Sequence, residues 1–196
     1  MNRPRIILAS TSVYRRDLLS RLDIPFEIQS PTTDERPLPG ESPEQLARRL
    51  SEAKAESIQS DYPNALIIGS DQVAVLDGRI MGKPGNREAN IRQLSRAAGR
   101  QVTFLTGLCL LNTHACQAET DIVPFSVVFR RLTLEQIENY VHRERPFDCA
   151  GGFKSERLGI ALFERMEGED STALMGLPLI RLVTMLQRQG VDILGG

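Results

Sequence analysis

Two short runs in this chain are apolar at every position, Ile6-Ile7-Leu8-Ala9 and Ala65-Leu66-Ile67-Ile68. Unbroken apolar runs of this length predict buried strands. Each ends in polar residues. The first leads into Ser10-Thr11-Ser12 and the basic pair Arg15-Arg16, the second into Gly69-Ser70-Asp71-Gln72. A helix follows the first, with Leu18, Leu19 and Leu22 on one stripe and Pro25 at its end, and Phe26–Gln29 reads as a short strand. The proline-rich segment Ser30–Glu41 is a long loop carrying the acidic pair Asp34-Glu35. Ser42-Pro43-Glu44-Gln45 is a helix start, with Ser42 as N-cap, Pro43 at the first helical position and Gln45 closing a capping box. That helix is predicted to run to about Ser60. Its stripe Ala47, Leu50, Lys54, Ile58 has a lysine where an apolar residue is expected.

Asp77-Gly78 between two runs is a two-residue hairpin signal. Pairing Leu76 with Arg79 sets a register that puts Lys83 opposite Gln72, and a bulge at Gly82 would turn Lys83 to the Asp71 side. A helix is expected from about Arg87 to Ala98, stopped by Gly99. Gln101–Leu111 is apolar on both faces and so predicts a central strand. A turn near residues 112–115 leads to a second strand ending near Phe129. Thr133 and Gln136 form another capping box, opening a helix to about His142. Ala150–Glu156 is a glycine-softened loop, Ile160–Arg165 a last strand, and Pro178 starts a final helix that Gly190 stops. Strands alternating with helices predict an α/β fold. No repeat or linker divides the chain, so one domain over residues 1–196 is expected.

Charge narrows the partners. The chain has 24 basic and 25 acidic residues, a formal net charge of -1. That balance argues against a general nucleic-acid or anionic-membrane binder, but leaves room for a local basic pocket that takes one polyphosphate. Cys109, Cys116 and Cys149 form no CxxC pair, which disfavours a disulfide framework or zinc site and fits a reducing compartment. Met1–Arg5 is followed by only four apolar residues, too few for a signal peptide. No apolar stretch approaches the roughly 20 residues that span a bilayer. The expectation is a soluble, cytoplasmic protein.

Open α/β sheets bind ligands outside the carboxyl ends of their strands. One such end offers hydroxyls and guanidiniums, which suit phosphate, unless the arginines are simply solvated. The other offers Asp71, which suits a metal or an attacking water, unless it only caps a turn. Lys54 either snorkels its ammonium to solvent or serves a ligand. Lys83 is a phosphate clamp or an ion-pair partner. His114 and His142, in a turn and at a helix end, read as surface residues. No Walker A loop, G-x-S-x-G elbow or Ser-His-Asp order is present. Carboxylates (Glu35, Asp71) with cations (Arg15, Lys54, Lys83) suit metal-assisted hydrolysis of a phosphoanhydride.

In order along the chain, Leu8–Ser12 with Arg15-Arg16, Asp34-Glu35, Lys54, Gly69-Ser70-Asp71, Gly82-Lys83-Pro84, Thr106-Gly107, Ala150-Gly151 and Gly176-Leu177-Pro178 together resemble the Maf family of nucleoside triphosphate pyrophosphatases. The resemblance implies an inosine-triphosphatase-like mixed sheet with flanking helices, in two lobes around a central cleft. It implies hydrolysis between the α and β phosphates, a divalent cation (Mg2+ or Mn2+), and a homodimer. On these positions Asp71 would accept the proton of the attacking water, with Glu35 and Asp71 at the metal. Arg15, Lys54 and Lys83 would bind triphosphate, with Ser10 and Ser12 as hydroxyl donors. Tyr14, Gln72 and Glu156 would read the base. An aromatic, Gln and Glu set resembles the YceF-type subfamily, associated with 7-methyl-GTP; the alternatives are a pyrophosphatase for dTTP/UTP or another modified nucleotide, and a nucleotide-sensing regulator of septum formation. An aromatic face suits the cationic N7-methylguanine ring, and a carboxylate accepts from the guanine N1–H/N2–H edge. The chain departs from the family pattern at Val13, where Pro is usual, at Tyr14, where the subfamily has Trp, and at Gly152, where Ser is more usual.

Overall fold

A computed structural model describes residues 4–195. Residues Met1–Arg3 of the N-terminal lead lie outside the described residues.

Alternation along the first strand explains how its neighbours are arranged. β1 (Arg5–Ala9) pairs in parallel with β2 (Glu27–Gln29) on one side and β3 (Ala65–Leu76) on the other. Successive side chains of a strand point to opposite faces. Ile6 and Leu8 therefore join Leu18 and Leu19 of α1 (Val13–Leu19) and Leu182, Met185 and Leu186 of α6 (Leu179–Arg188). Ile7 and Ala9 pack on the other face with Ala55 of α2 (Pro43–Glu56), Ile58 and Ile67. With apolar neighbours on both faces, the stretch from Ile6 to Ala9 has no room for polar residues, and the one polar residue of β1, Arg5, is exposed at its start.

The remaining elements are β4 (Arg79–Met81), α3 (Arg87–Ala97), β5 (Gln101–Asn112), β6 (Gln117–Phe129), α4 (Leu134–Glu144), β7 (Phe163–Gly168) and the short α5 (Ser171–Leu174). Hydrogen bonding orders the strands β2-β1-β3-β5-β6-β7, with β4 on β3. β3–β4 and β6–β7 are antiparallel, so the sheet is mixed, as expected. The chain divides into two compact units. The first takes in the chain through Asp71, Thr106–Val123 and the chain from Asp170 onward; the second is Gln72–Leu105 and Pro124–Glu169. In the second, Phe104, Phe129, Phe153 and Phe163 form an edge-to-face cluster with centroids 4.8–5.7 Å apart. No helix among the described residues is long and apolar enough to cross a membrane.

Four expectations are corrected. α2 stops at Glu56, capped by Ser57, and residues 59–61 form a separate 3₁₀ turn. The Leu76–Arg79 register is as predicted, but the β3–β4 ladder ends at Met81. Among the described residues Lys83 therefore has no ladder partner in β3, and the expected pairing with Gln72 does not form. Residues 158–162 form a 3₁₀ turn and the last strand starts only at Phe163. Gly159 N–H donates to the Lys154 carbonyl at 3.1 Å, and this bond curls the segment that alternation would have extended. Lys54 does not snorkel; its surroundings are described below.

Candidate functional site

In the first unit the parallel register pairs Ala9 with Gly69. That brings Ser10–Ser12 and Ser70-Asp71 to the carboxyl ends of neighbouring strands. Ser10 Oγ accepts from Ser12 N–H at 3.1 Å, and Ser12, the N-cap of α1, accepts from Arg15 N–H at 3.4 Å. Each hydroxyl accepts through its oxygen and keeps an O–H to donate. Arg15 Nε donates to the Gly176 carbonyl at 2.8 Å. Burial pushes the Arg15 guanidinium below its ordinary value, and the charges of Asp71 and Glu35 oppose that shift. Tyr14, beside it in the first turn, is half-buried.

Lys54 is the centre of this unit's chemistry. Its ammonium donates to Asp71 Oδ1 at 2.6 Å and lies 2.7 Å from Glu35 Oε1. The lysine side chain is 7% exposed, Asp71 13% and Glu35 54%. Two glycines let α2 come close enough to deliver it. A Cβ on Gly69 would meet the Ser51 carbonyl at 2.1 Å, and one on Gly107 the Ala47 carbonyl at 2.3 Å. With no side chain at either position, the helix rests on the strand backbone and its lysine reaches the carboxylate at the strand tip.

Some supporting residues were not singled out from the sequence. Fully buried Ser70 has its Oγ 2.7 Å from the Gly107 carbonyl and 2.9 Å from the Gly176 carbonyl. It thus shares with Arg15 the carbonyl of Gly176. Asp170 Oδ1 accepts from Thr172 N–H and Oδ2 from Ile180 N–H, fixing the turn between α5 and α6 that carries Gly176. The Asp170-Ser171-Thr172 sequence was an available cap signal.

Glu35 rides on a loop clamped by α2. Arg49 donates from Nε and Nη2 to the two oxygens of Glu41 at 2.6 and 2.9 Å, and from Nη2 to the Arg36 carbonyl at 3.1 Å. Arg36 in turn pairs with Asp34 at 2.6 Å. Hydrogen bonds from Arg49 hold the Glu41 carboxyl down to about 2, from an ordinary 4.5, and those from Arg36 hold Asp34 down to about 2, from 3.8. A depressed carboxyl stabilises the fold fully above its unfolded value and loses that contribution as pH falls through its folded value. The clamp should therefore be complete above about pH 4.5 and lost only toward about pH 2. An NMR titration of the Glu41 side-chain carboxyl reads this directly. Its midpoint should lie near 2 and move toward 4.5 in Arg49→Met; a parent midpoint near 4.5 would show that the clamp does not form.

The remaining predicted site residues belong to the second unit. Gln72, half-buried, directly follows Asp71. Lys83 is exposed beyond the end of β4. Glu156 is exposed in the turn after Gly151 and Gly152, whose φ values are +76° and +73°. Phe153, inside the aromatic cluster, and Tyr140 Oη, accepting from Lys154 N–H at 3.0 Å, anchor that turn. His114 and His142 are exposed, as expected.

For a metal the donor set is small. Among the described residues no group of three or more His, Cys, Asp or Glu side chains gathers as a cation cage. Asp71 and Glu35 do converge on one point, the Lys54 ammonium. Two carboxylates completed by phosphate oxygens and water is the arrangement magnesium commonly uses with nucleotides, so these residues fit such an ion.

A family model described as Maf-like protein matches residues 5–189. This chain belongs to the Maf family. It is 57% identical over 190 residues to the 7-methyl-GTP pyrophosphatase of Pseudomonas aeruginosa, covering 97% of this chain and 99% of that one. It is 53% identical to the proteins of the same name from Nitrosococcus oceani and Aliivibrio fischeri, each over 97% of this chain and 96% and 98% of theirs. A solved protein from Vibrio cholerae is similar at a TM-score of 0.45 with 9% identity, covering 94% of this chain and 99% of that one, too weak a likeness to bear on fold or function.

Proposed function

We propose that this Maf-family chain is a nucleoside triphosphate pyrophosphatase that converts 7-methyl-GTP and water to 7-methyl-GMP and pyrophosphate, clearing a modified nucleotide before it enters nucleic acid. The observation that carries catalysis, as opposed to nucleotide sensing, is the buried Lys54 held between Asp71 and Glu35. A sensor needs cations for phosphate but not a fixed carboxylate at a strand tip. In this reading water attacks the α-phosphorus, Asp71 takes its proton, and the bond to the bridging oxygen of pyrophosphate breaks. Lys54 orients the Asp71 carboxylate and, with Arg15 and Lys83, offsets charge on the phosphates. Ser10 and Ser12 donate their O–H groups to phosphate oxygens. A magnesium or manganese ion held by Glu35 and Asp71 would supply further charge neutralisation.

Base recognition is assigned to Tyr14, Gln72 and Glu156. The names of the relatives support 7-methyl-GTP, as does the chemical match of a cationic ring to an aromatic face and of a guanine N–H edge to a carboxylate. The same reading makes the protein cytoplasmic and homodimeric. The three cysteines, which form no disulfide among the described residues, fit a reducing compartment, and light scattering of the purified protein tests the dimer.

Pyrophosphate release from a panel of 7-methyl-GTP, GTP, dTTP and UTP is the deciding assay. The parent should prefer 7-methyl-GTP. Glu156→Gln replaces an acceptor-only group by an amide that also donates, and Tyr14→Ala removes a cation–π face worth roughly 0.5–2 kcal/mol. Each should lower the kcat/KM ratio for 7-methyl-GTP over GTP, and the double variant should lower it further. A preference unchanged in the double variant would remove these residues from base recognition. A parent that hydrolyses dTTP and UTP best would overturn the substrate assignment.

A further inference from the structure

Asn90 and Gln93 sit one helical turn apart on α3, so their side chains share a face. Asn90 is fully buried, and its Nδ2 donates to the Gly152 carbonyl at 2.9 Å. Gln93 Nε2 donates to the Gly82 carbonyl at 2.8 Å. Their other amide atoms, Asn90 Oδ1 and Gln93 Oε1, are buried without a hydrogen-bond partner among the described residues. Leaving a buried acceptor unmade is costly, and an apolar side chain of similar size avoids the cost. Packing alone therefore does not account for two such amides side by side. Both converge on Gly152, where a Cβ would meet Asn90 Nδ2 at 2.2 Å and Gln93 Oε1 at 2.9 Å. What each amide gains is a bond to one turn carbonyl. Gly82 directly precedes Lys83. Gly152 leads through the anchored Phe153 and Lys154 to Glu156.

We propose that Asn90 and Gln93 are positioning residues that tie the Lys83 turn and the Glu156 turn to one face of α3, so that this helix sets both the phosphate-side cation and the base-side carboxylate. The inference rests on the roles given above to Lys83 and Glu156. Neither amide touches substrate in this scheme. Gln93 acts through Lys83 and Asn90 through Glu156, so loss of the first weakens turnover of every triphosphate equally, and loss of the second weakens the choice of base.

The test uses Gln93→Leu and Asn90→Leu in the full chain, alone and combined with Lys83→Ala or Glu156→Gln. Gln93→Leu should lower kcat/KM by about 3- to 10-fold for 7-methyl-GTP and GTP alike, the range expected for one hydrogen bond. That loss should vanish in the Lys83→Ala background. Asn90→Leu should lower the 7-methyl-GTP preference by a similar factor, and the effect should vanish in the Glu156→Gln background. Losses that persist at full size in those backgrounds would mean that the amides serve the fold alone, and the proposal falls. If Asn90→Leu does not fold, Gly152→Ala disturbs the same contact from the loop side and takes its place. Amide hydrogen exchange adds a readout independent of catalysis. In Asn90→Leu, or in Gly152→Ala as its replacement, the backbone amides at positions 152 and 154 should exchange roughly tenfold faster with α3 and α4 unchanged; unchanged exchange there overturns the Asn90 arm. A parent without preference for 7-methyl-GTP defeats the substrate reading, whereas the Lys83 cycle, run on whichever triphosphate the parent hydrolyses fastest, still decides positioning by Gln93, and the exchange data still decide positioning by Asn90.

Discussion

Asp71→Asn is expected to lower turnover of the best nucleotide by roughly 10²–10⁴-fold, the contribution of a positioned general base. The substitution keeps shape and keeps an oxygen for Lys54 to bond, now 2.6 Å from Asp71 Oδ1. It removes the negative charge and nearly all the basicity. Stability should change little, by about 1 kcal/mol, because a charge-assisted hydrogen bond becomes a neutral-acceptor one and Glu35 still pairs with the same ammonium. Steady-state kinetics of the purified variant, alongside its melting curve, make the comparison. A folded Asp71→Asn protein that turns over at the parent rate would show that another group activates water.

The strand bearing Asp71 was legible in the sequence because its neighbours are apolar on both faces. Ile67 and Ile68 belong to different core clusters, and an unbroken apolar run signals this arrangement. The start of α2 was equally legible, since Ser42 and Gln45 form the capping box their spacing predicts. Lys54 was not. Helical spacing places a lysine on an inward stripe but does not tell a buried ammonium from one that reaches solvent. The deciding information lies on other strands, in Gly69 and Gly107, where missing side chains let the helix approach. A glycine inside a strand is a sign of such close approach, though it does not name the partner. The hairpin register followed from Asp77-Gly78, but turn chemistry does not say where a ladder stops, and this one stops at Met81. The expected strand start at Ile160 misled for a similar reason, because the course of residues 158–162 is set by the bond from Gly159 to the Lys154 carbonyl. α5 is only four residues long, too short to show periodicity.

Lys54→Met should damage both catalysis and stability, and the two losses separate its roles. Methionine keeps the length and apolar stem of the lysine and removes its charge. Asp71, 13% exposed, and Glu35, 54% exposed, then face each other without the ammonium that bridges them. Breaking a fully buried pair costs about 3–5 kcal/mol; with one carboxylate half in water, about 1–3 kcal/mol is expected here, after discounting for solvent screening. Catalysis should fall further. The ammonium both orients the Asp71 carboxylate and offsets phosphate charge, and removing one such fixed donor lowers kcat by roughly 10²–10³-fold. Arginine is not a substitute. Its planar fork needs more room than a point charge, and the close seating of α2 on Gly69 leaves little, so Lys54→Arg should stay near the Lys54→Met rate. The measurement is kcat at saturating nucleotide, at a temperature well below each variant's melting point, so that lost stability does not appear as lost rate. A Lys54→Met protein that melts early but turns over like the parent would assign the lysine to the fold alone and leave Asp71 to be oriented by other contacts.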